Sequence, residues 1–374
     1  MKKIALTGGG TAGHITPNFA LVPELKKRGF EVIYIGSNDG MDKKIVEKRH
    51  IPFFGITTDK LRRYFDFKNL MMPFNVIKGI SEAIKILKDN KIDIIFSKGG
   101  FVAVPVVIAA SRLKIPVISH EADFTPGLAN KIALPLSKKI CCNFEETVKL
   151  LKGKGEWTGC PIRSEILNGN RKKGLEIFNF KNEKPIIFVT GGSLGSKYIN
   201  DLIRKNIERI TKDFNVIHSC GKGKLDNKIN VEGYQQYELL TYDLPDVFAA
   251  TDYIISRAGA NAIFEFLALK KPNLLIPLSL KASRGDQILN AKSFMKKNYS
   301  LVLLEEDQDK NPELFFKRLH ELVERKDEMI KAMKDAPEND AINNICNIIE
   351  SIIWHIPKPY NTWHNNSFMV IYRC

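Results

Sequence analysis

His14 is the side chain that the sequence places best for proton-transfer chemistry. It directly follows the glycine-rich run Gly8-Gly-Gly-Thr-Ala-Gly13, and the pair Thr16-Pro17 after it is typical of a helix start. Imidazole is the natural general base near neutral pH, so a turn that delivers it into a cleft predicts acid–base catalysis. The alternative for this position is a loop histidine whose ring bonds to the backbone.

A second titratable group, His120-Glu121-Ala-Asp123, follows the apolar residues 116–119. Three ionisable residues out of four at the end of a strand form either a solvated turn or the wall of a site. The residues alone leave both interpretations open.

Glycine-rich turns in both halves of the chain are candidates for binding an anion. An apolar run leads into Thr7-Gly-Gly in the first half and into Thr190-Gly-Gly in the second. Backbone N–H groups at such turns, and at the start of the helix that follows, approach a phosphate closely. Two such turns facing each other predict one ligand cleft between two domains.

Two later segments place polar side chains at the same predicted edge. The segment Ser256-Arg-Ala-Gly-Ala-Asn261 leads from a strand into a helix that carries Glu265, and a polar loop leads to Asp286 and Gln287. Free N–H groups at these helix starts suit a diphosphate, and a carboxylate suits sugar hydroxyls. A glutamate on the helix surface is the alternative for Glu265.

Other site chemistries have less support. A dinucleotide site requires an acidic residue at the end of the second strand, whereas Asp39 lies beyond the strand-ending Gly36. The sequence therefore gives less support to a nicotinamide-dependent oxidoreductase, which stays as an alternative. A non-catalytic nucleotide-sugar binder is another alternative. The D-x-D sequence Asp307-Gln-Asp309 lies in a charged run away from any predicted strand end, so the sequence predicts neither a metal nor a cofactor.

Short apolar runs alternate with helical patterns, which predicts βαβ units and parallel sheets. The pattern starts again near residue 185, so we predict an α/β protein of two doubly wound, Rossmann-like domains that face each other across a cleft. Their expected bounds are residues 1–160 and 161–340, with a linker at residues 158–163 and a helix over 341–350 that returns to the first domain. The predicted strands are residues 3–7, 31–36, 92–97, 116–119, 185–190, 214–219, 253–256 and 273–277.

The composition is that of a folded, basic protein. The 374 residues include 57 Lys and Arg against 42 Asp and Glu, which gives a net charge of +15. The basic residues are spread along the chain and are mostly lysines, a pattern of solvated helix faces, so nucleic acid is not predicted as a partner. Apolar runs are too short for a signal peptide or a membrane span, and the six cysteines form no C-x-x-C pair, so we expect a cytoplasmic protein with reduced thiols.

The composition changes at Ser351, after which the chain contains no Asp or Glu but includes Trp354 and Trp363. We predict that residues 351–374 do not continue the preceding helix. The interpretations are a disordered extension or an aromatic contact with a membrane interface, and no function is assigned to this segment.

Six motifs in register resemble the MurG family over residues 1 to about 350. They are Gly9-Gly-Thr-Ala-Gly-His-Ile-Thr-Pro17, His120-Glu121 with Thr125-Pro-Gly-Leu-Ala-Asn-Lys131, Thr158-Gly-Cys-Pro-Ile-Arg163, Thr190-Gly-Gly-Ser-Leu-Gly-Ser196, Ser256-Arg-Ala-Gly259 and Ser283-Arg-Gly-Asp-Gln287. The resemblance implies the glycosyltransferase B fold and a metal-independent, inverting transfer of N-acetylglucosamine from UDP-N-acetylglucosamine. The implied acceptor is the 4-hydroxyl of undecaprenyl-diphosphoryl-N-acetylmuramoyl-pentapeptide, the peptidoglycan precursor. A related transferase that acts on another lipid is the alternative.

The resemblance also implies roles for individual residues. His14 is the first candidate for the base that deprotonates the acceptor hydroxyl, and Glu121 is the second. The implied donor contacts are Thr11, Ala12, Gly13, Asp123, Arg163, Ser193, Ala260, Glu265, Asp286 and Gln287, with residues 240–242 near the uracil. Ala12 stands where many members have Gly, and Asp123 stands where many have an Asn that touches the donor sugar. A carboxylate cannot donate the hydrogen bonds of an amide, so the second departure bears on sugar selectivity.

An acceptor with a long lipid requires an apolar, basic contact surface on the N-terminal domain. Residues 60–78 combine both kinds of side chain, although a partly buried amphipathic helix is the alternative. The predicted membrane contacts are Arg62, Arg63, Leu70, Met71 and Phe74. The expected location is the cytoplasmic face of the bacterial membrane, with anionic inner-leaflet lipid as a partner.

Overall fold

The structure, a computed structural model, describes residues 1–58, 68–180, 182–240 and 243–354. Each half of the chain forms a parallel β-sheet with helices packed on it. The predicted architecture of two doubly wound α/β domains is confirmed. Within the described residues, no helix is long and apolar enough to cross a membrane.

The N-terminal sheet has the strand order β3-β2-β1-β4-β5-β6-β7. The order reverses beside β1, so the turns after β1 and β4 open a crevice at the carboxyl edge of the sheet. The strands are β1 (Lys2–Thr7), β2 (Phe30–Ser37), β3 (Phe53–Ile56), β4 (Ile94–Ser97), β5 (Val117–Glu121), β6 (Lys139–Cys142) and β7 (Gly155–Trp157). The helices are α1 (Ala12–Lys27), α2 (Met41–Glu47), α3 (Lys68–Asp89), α4 (Ala103–Arg112), α5 (Leu128–Ala133) and α6 (Glu145–Val148); the next two, α7 (Ser164–Leu167) and α8 (Arg171–Phe178), pack on the C-terminal domain.

The C-terminal sheet repeats this plan with the order β10-β9-β8-β11-β12-β13. Its strands are β8 (Ile186–Thr190), β9 (Asn215–Ser219), β10 (Tyr234–Tyr237), β11 (Tyr253–Ser256), β12 (Asn273–Leu275) and β13 (Leu301–Val302). The helices are α9 (Lys197–Ile210), α10 (Leu244–Ala250), α11 (Ala260–Ala268), α12 (Asp286–Lys296), α13 (Glu305–Lys310), α14 (Leu314–Glu324), α15 (Lys326–Lys334) and α16 (Ala341–Trp354).

The central strands are apolar because both of their faces are covered. Ile4 and Leu6 of β1 pack into the core on one side of the sheet, and Ala5 packs into the core on the other. A strand covered on both sides reads as a continuous apolar run, which is why its position was predictable.

Each of the eight predicted strands is present, but β3, β6, β7, β10 and β13 were not predicted. These strands are short and lie towards the edges of their sheets. β10 reads Tyr-Gln-Gln-Tyr and β7 reads Gly-Glu-Trp, so neither forms an apolar run. Their pairing depends on neighbouring strands more than on their own sequence.

Helix α16 corrects the expectation for Ser351. The helix continues through Trp354, so the change of composition at Ser351 does not end it. Ile349 and Ile353 extend one apolar face that packs into the core of the N-terminal sheet, beside α1. Arg28 of α1 pairs with Glu350 at 2.8 Å. The apolar pattern of the helix therefore continues past Glu350, the last acidic residue and the predicted end of the helix.

Candidate functional site

His14 lies at the start of α1, where β1 meets the glycine-rich turn. Thr11 Oγ1 lies 2.9 Å from His14 Nδ1. The tautomer that donates from Nδ1 to Thr11 leaves Nε2 free to accept a proton. Burial, and secondarily the positive charge of Lys98, lower the pKa of His14 to about 4, so the imidazole is neutral at physiological pH.

The turn before His14 depends on close backbone approach. Gly10 has φ +85°, and a Cβ there would collide with the ring of Phe101. Gly100, with φ +79°, lies against both the Gly9 carbonyl and the His14 ring. A side chain at Gly10 would collide with the Phe101 ring and one at Gly100 would collide with the Gly9 carbonyl, so the two turns can approach each other only because both carry glycine.

Glu121, the second candidate base, is buried and has both oxygens occupied. Its Oε1 accepts from the Asp123 N–H at 3.0 Å. Its Oε2 accepts from the Gly127 N–H at 2.9 Å and from Asn130 Nδ2 at 2.8 Å. Burial, followed by the charge of Asp123, raises the pKa of Glu121 to about 7. This arrangement favours a role in holding the loop after β5 over a role as the base.

The loop after β5 contacts the C-terminal domain directly. Asn290 Nδ2 donates to Asp123 Oδ1 at 2.9 Å, and Asn290 Oδ1 accepts from the Phe124 N–H at 2.9 Å. Thr125 Oγ1 donates to Asp286 Oδ1 at 3.1 Å. Sequence reasoning missed Asn290, although its position one helical turn after Asp286 on α12 was an available signal.

A second interdomain bond brings the two glycine-bearing regions together. Asn261 Nδ2, in the first turn of α11, donates to the Gly13 carbonyl of α1 at 2.9 Å. The start of α11 has Gly259 as its N-cap and no side-chain cap. The N–H groups in the first turn of α11, that of Ala260 among them, therefore have no capping side chain, as an anion site requires.

Glu265 and Arg163 form the polar wall on the C-terminal side. Arg163 Nη2 lies 3.8 Å from Glu265 Oε1, and each side chain is about one-fifth exposed. Burial raises the pKa of Glu265 to about 7, and the Arg163 charge opposes this rise. The pair offers a carboxylate for hydroxyl groups and a cation for phosphate.

The remaining predicted donor residues lie around this wall. Ser193 is exposed in the turn between β8 and α9, beside Gly192 with φ +83°. Gln287 Oε1 accepts from the Leu278 N–H at 3.1 Å, which ties the start of α12 to the loop after β12. Leu240 is buried.

Several predicted positions fall outside the described part of the structure. Arg62, Arg63 and residues 241–242 are among the undescribed residues, and the side chains of Ala12, Leu70 and Met71 are not described. Phe74, on α3, is 67% exposed. Within the described residues, no three His, Cys, Asp or Glu side chains are grouped so that they could hold a metal ion.

Family models match both halves of the chain. The glycosyltransferase family 28 N-terminal domain matches residues 4–142, and the corresponding C-terminal domain matches residues 186–347. A protein of Clostridium botulinum (strain Alaska E43 / Type E3) is 58% identical over 93% of this chain and 97% of its own length. One from Clostridium tetani is 56% identical over 93% of this chain and 98% of its own. Both are named UDP-N-acetylglucosamine–N-acetylmuramyl-(pentapeptide) pyrophosphoryl-undecaprenol N-acetylglucosamine transferase.

Solved structures agree with the fold. Acinetobacter baumannii MurG matches with a TM-score of 0.71 at 24% identity, over 94% of this chain and all of that chain. A UDP-GlcNAc 2-epimerase from Neisseria meningitidis, bound to UDP-GlcNAc, matches with a TM-score of 0.66 at 16% identity, over 94% and 100% of the two chains. The fold is thus that of glycosyltransferase B proteins, and the close sequence relatives identify the family within that fold. The chain belongs to glycosyltransferase family 28 and, within it, to the MurG family.

Proposed function

We propose that this protein transfers N-acetylglucosamine from UDP-N-acetylglucosamine to the 4-hydroxyl of undecaprenyl-diphosphoryl-N-acetylmuramoyl-pentapeptide, with inversion at the anomeric carbon. The observation that carries this proposal is the hydrogen bond from Asn261 to the Gly13 carbonyl, which brings His14 on one domain near the Glu265–Arg163 pair on the other. The first domain supplies a base and the second supplies groups for a nucleotide.

The proposed step forms one bond and breaks another at the same carbon. The acceptor O4 attacks the anomeric carbon, and its proton passes to His14 Nε2. The bond from the anomeric carbon to the diphosphate oxygen breaks, and UDP leaves with the bonding electrons. The glycine-rich turn before α1 and the uncapped start of α11 supply N–H groups that stabilise the growing charge on the diphosphate.

The low pKa of His14 is compatible with this step because the bound donor changes it. A base with a pKa of about 4 accepts a proton poorly at neutral pH. The negative diphosphate beside the imidazole favours its protonated form, which raises the pKa towards the useful range. The base therefore becomes effective when the donor is bound.

The proposed donor contacts lie on both domains. Thr11, Ala12 and Gly13 lie at the start of α1, for the sugar and the diphosphate. On the C-terminal side, the contacts for the nucleotide are Arg163, Ser193, Ala260, Glu265, Asp286 and Gln287. Asp123 accepts a hydrogen bond from Asn290, so the amide at this interface is supplied by α12. Both N–H groups of that amide are used, one by Asp123 and one by the Ala258 carbonyl, so the sugar contact at Asp123 is left with acceptors.

We also propose that the protein works at the cytoplasmic face of the membrane, because its acceptor is lipid-linked. Phe74 and Ile77 are 67% and 65% exposed, and Lys78 beside them is exposed too. Their spacing places them on one face of α3. Apolar and basic side chains on one helix face suit an anionic lipid surface. Nucleic acid is not among the proposed partners.

The test measures UDP release from UDP-N-acetylglucosamine, UDP-glucose and UDP-galactose, each with and without the lipid-linked muramoyl acceptor. We expect release only with UDP-N-acetylglucosamine and only with the acceptor present. Release with diacylglycerol in place of that acceptor would instead assign a different lipid substrate. Binding of the donor without any release of UDP would refute the transferase proposal.

A further inference from the structure

A buried lysine, Lys98, lies directly behind the turn that carries His14. It follows β4, and its N–H donates to the Thr7 carbonyl of β1 at 2.8 Å. Its Cβ lies 3.1 Å from the place that a Cβ on Gly8 would occupy. The residue is 2% exposed, so its ammonium group must find its partners inside the protein.

The polar partner of Lys98 is a histidine on the neighbouring strand. Lys98 Nζ lies 2.6 Å from His120 Nδ1, and His120 is fully buried. A lysine ammonium has only donors, so Lys98 donates and His120 carries its proton on Nε2. The ion pairs found among the described residues include none at Lys98. A buried cation held by a neutral acceptor keeps more of its field than one paired with a carboxylate.

The charged and titratable groups around this pair come from several elements. Glu121 and Asp123 approach Lys98 from β5 and the loop after it, Cys141 from β6 and Cys160 from the linker. On the far side of the turn, Asp42 accepts from the Gly10 N–H at 3.5 Å. Glu121 accepts from two N–H groups of its loop and from Asn130 of α5, and it is not in an ion pair with Lys98.

We propose that Lys98 is a positioning residue for the proposed transfer, and that its ammonium, anchored on His120, keeps His14 in the free-base form that a general base requires. This inference rests on the proposed function, which makes His14 the base, and on the geometry of the turn, which places Lys98 close to His14. A Cβ on Gly8 would meet both the His14 carbonyl oxygen and Lys98 Cβ, so the two residues flank the same glycine of the turn. A proton on His14 would place a second positive charge close to the first in a poorly hydrated region.

The titration directions agree with this geometry. Burial lowers the pKa of Lys98 to about 8, and the nearby acidic groups oppose that change. Burial and Lys98 lower the pKa of His14 to about 4. Between these values Lys98 is charged and His14 is a free base, which is the pair of states that the proposal requires.

The first test follows the His14 imidazole by NMR in the donor-free protein between pH 5 and 7, in wild type, Lys98→Met and Lys154→Met. The spectrum of His14→Gln assigns the signal. Lys154 is the matched control, because its ammonium also donates to neutral acceptors in the N-terminal domain, the carbonyls of Leu134 and Ser137. We expect no titration in wild type or Lys154→Met, and an upward shift of the His14 pKa by at least about one unit in Lys98→Met.

The second test compares kcat/KM against pH for the same proteins. The acidic limb of the profile should move to higher pH in Lys98→Met by the same amount as the NMR titration. A purely structural role would lower activity at every pH without moving the limb. If Lys98→Met does not fold, Lys98→Gln replaces it, because a neutral amide still donates to His120 Nδ1.

Two outcomes separate this inference from the proposed function. An unchanged His14 titration in a folded, neutral variant at position 98 would overturn the role of Lys98, whatever the activity. A shifted titration in a protein that releases no UDP would support the electrostatic role of Lys98 and refute the transfer reaction.

Discussion

At the residue scale, the proposed chemistry depends on one imidazole with a free nitrogen. His14 has one neutral hydrogen-bond partner, Thr11, and lies at the domain boundary, whereas Glu121 is bound by three donors. A base must reach the proton that it removes, so geometry ranks His14 above Glu121. Glu121 instead fixes the loop that carries Asp123 and Thr125 to the other domain.

We expect His14→Ala to lose turnover by at least about two decades, because the step loses its proton acceptor. UDP affinity should change little, since the proposed nucleotide contacts lie mostly on the C-terminal domain. Steady-state kinetics and calorimetric titration with UDP measure the two quantities. The control is His320→Ala, at an exposed histidine of α14. Turnover that survives in His14→Ala would remove this residue from the mechanism.

At the scale of elements, α12 joins the two domains. Its first residues, Asp286 and Gln287, are proposed donor contacts, and Asn290 one turn later binds the loop after β5. Asn290 also donates to the Ala258 carbonyl at 3.2 Å, so one buried amide joins three segments. A ligand at the start of α12 would therefore be coupled to the position of the N-terminal loop.

We expect Asn290→Asp to destabilise the protein by about 1–3 kcal/mol at pH 8, because the new carboxylate cannot donate and it repels Asp123. Burial already raises the pKa of Asp123, so a lower pH should add a proton to one of the two carboxyl groups. The loss in the urea midpoint should then shrink from pH 8 to pH 5.5. Asn206→Asp is the control, because the Asn206 amide bonds to Leu202 within α9. Equal midpoints for the two variants at pH 8 would exclude the coupling.

At the scale of the whole molecule, fold and reaction are separate questions. The same fold occurs in a UDP-GlcNAc 2-epimerase, so two domains that face each other across a cleft do not by themselves specify a reaction. The reaction follows from side chains placed at that cleft and from close relatives in the same family.

The net charge of +15 bears on where the molecule works. We expect Phe74→Ser with Ile77→Ser to weaken binding to vesicles of phosphatidylglycerol and phosphatidylcholine by at least about tenfold, because two apolar side chains no longer insert. Salt at high concentration should weaken the wild type as well, since it screens basic groups from anionic lipid. Flotation measures the bound fraction.

The matched control for the vesicle experiment is Leu175→Ser with Ile177→Ser. These side chains are 41% and 40% exposed on α8, away from α3. Their loss should leave flotation unchanged. Equal binding by both double variants and the wild type would argue against α3 as the membrane contact.

The sequence by itself determined the eight predicted strands, the glycine-rich turns and the family. Apolar runs marked the strands that are buried on both faces, and glycines marked the turns where backbone approaches backbone. These signals are local, because burial and steric restriction act on each residue where it stands. The short edge strands and the end of α16 escaped prediction because their positions depend on the elements beside them.

Only the tertiary structure decided what each candidate side chain does. The sequence left Glu121 and His14 both open as bases, and the hydrogen bonds to Glu121 favour His14. Asn290 and Lys98 carried no motif. The bond from Asn290 to Asp123 spans 167 positions, and the bond from Asn261 to Gly13 spans 248. Hydrogen bonds and electric fields depend on distances of a few ångströms in space, and spacing along the chain does not specify those distances.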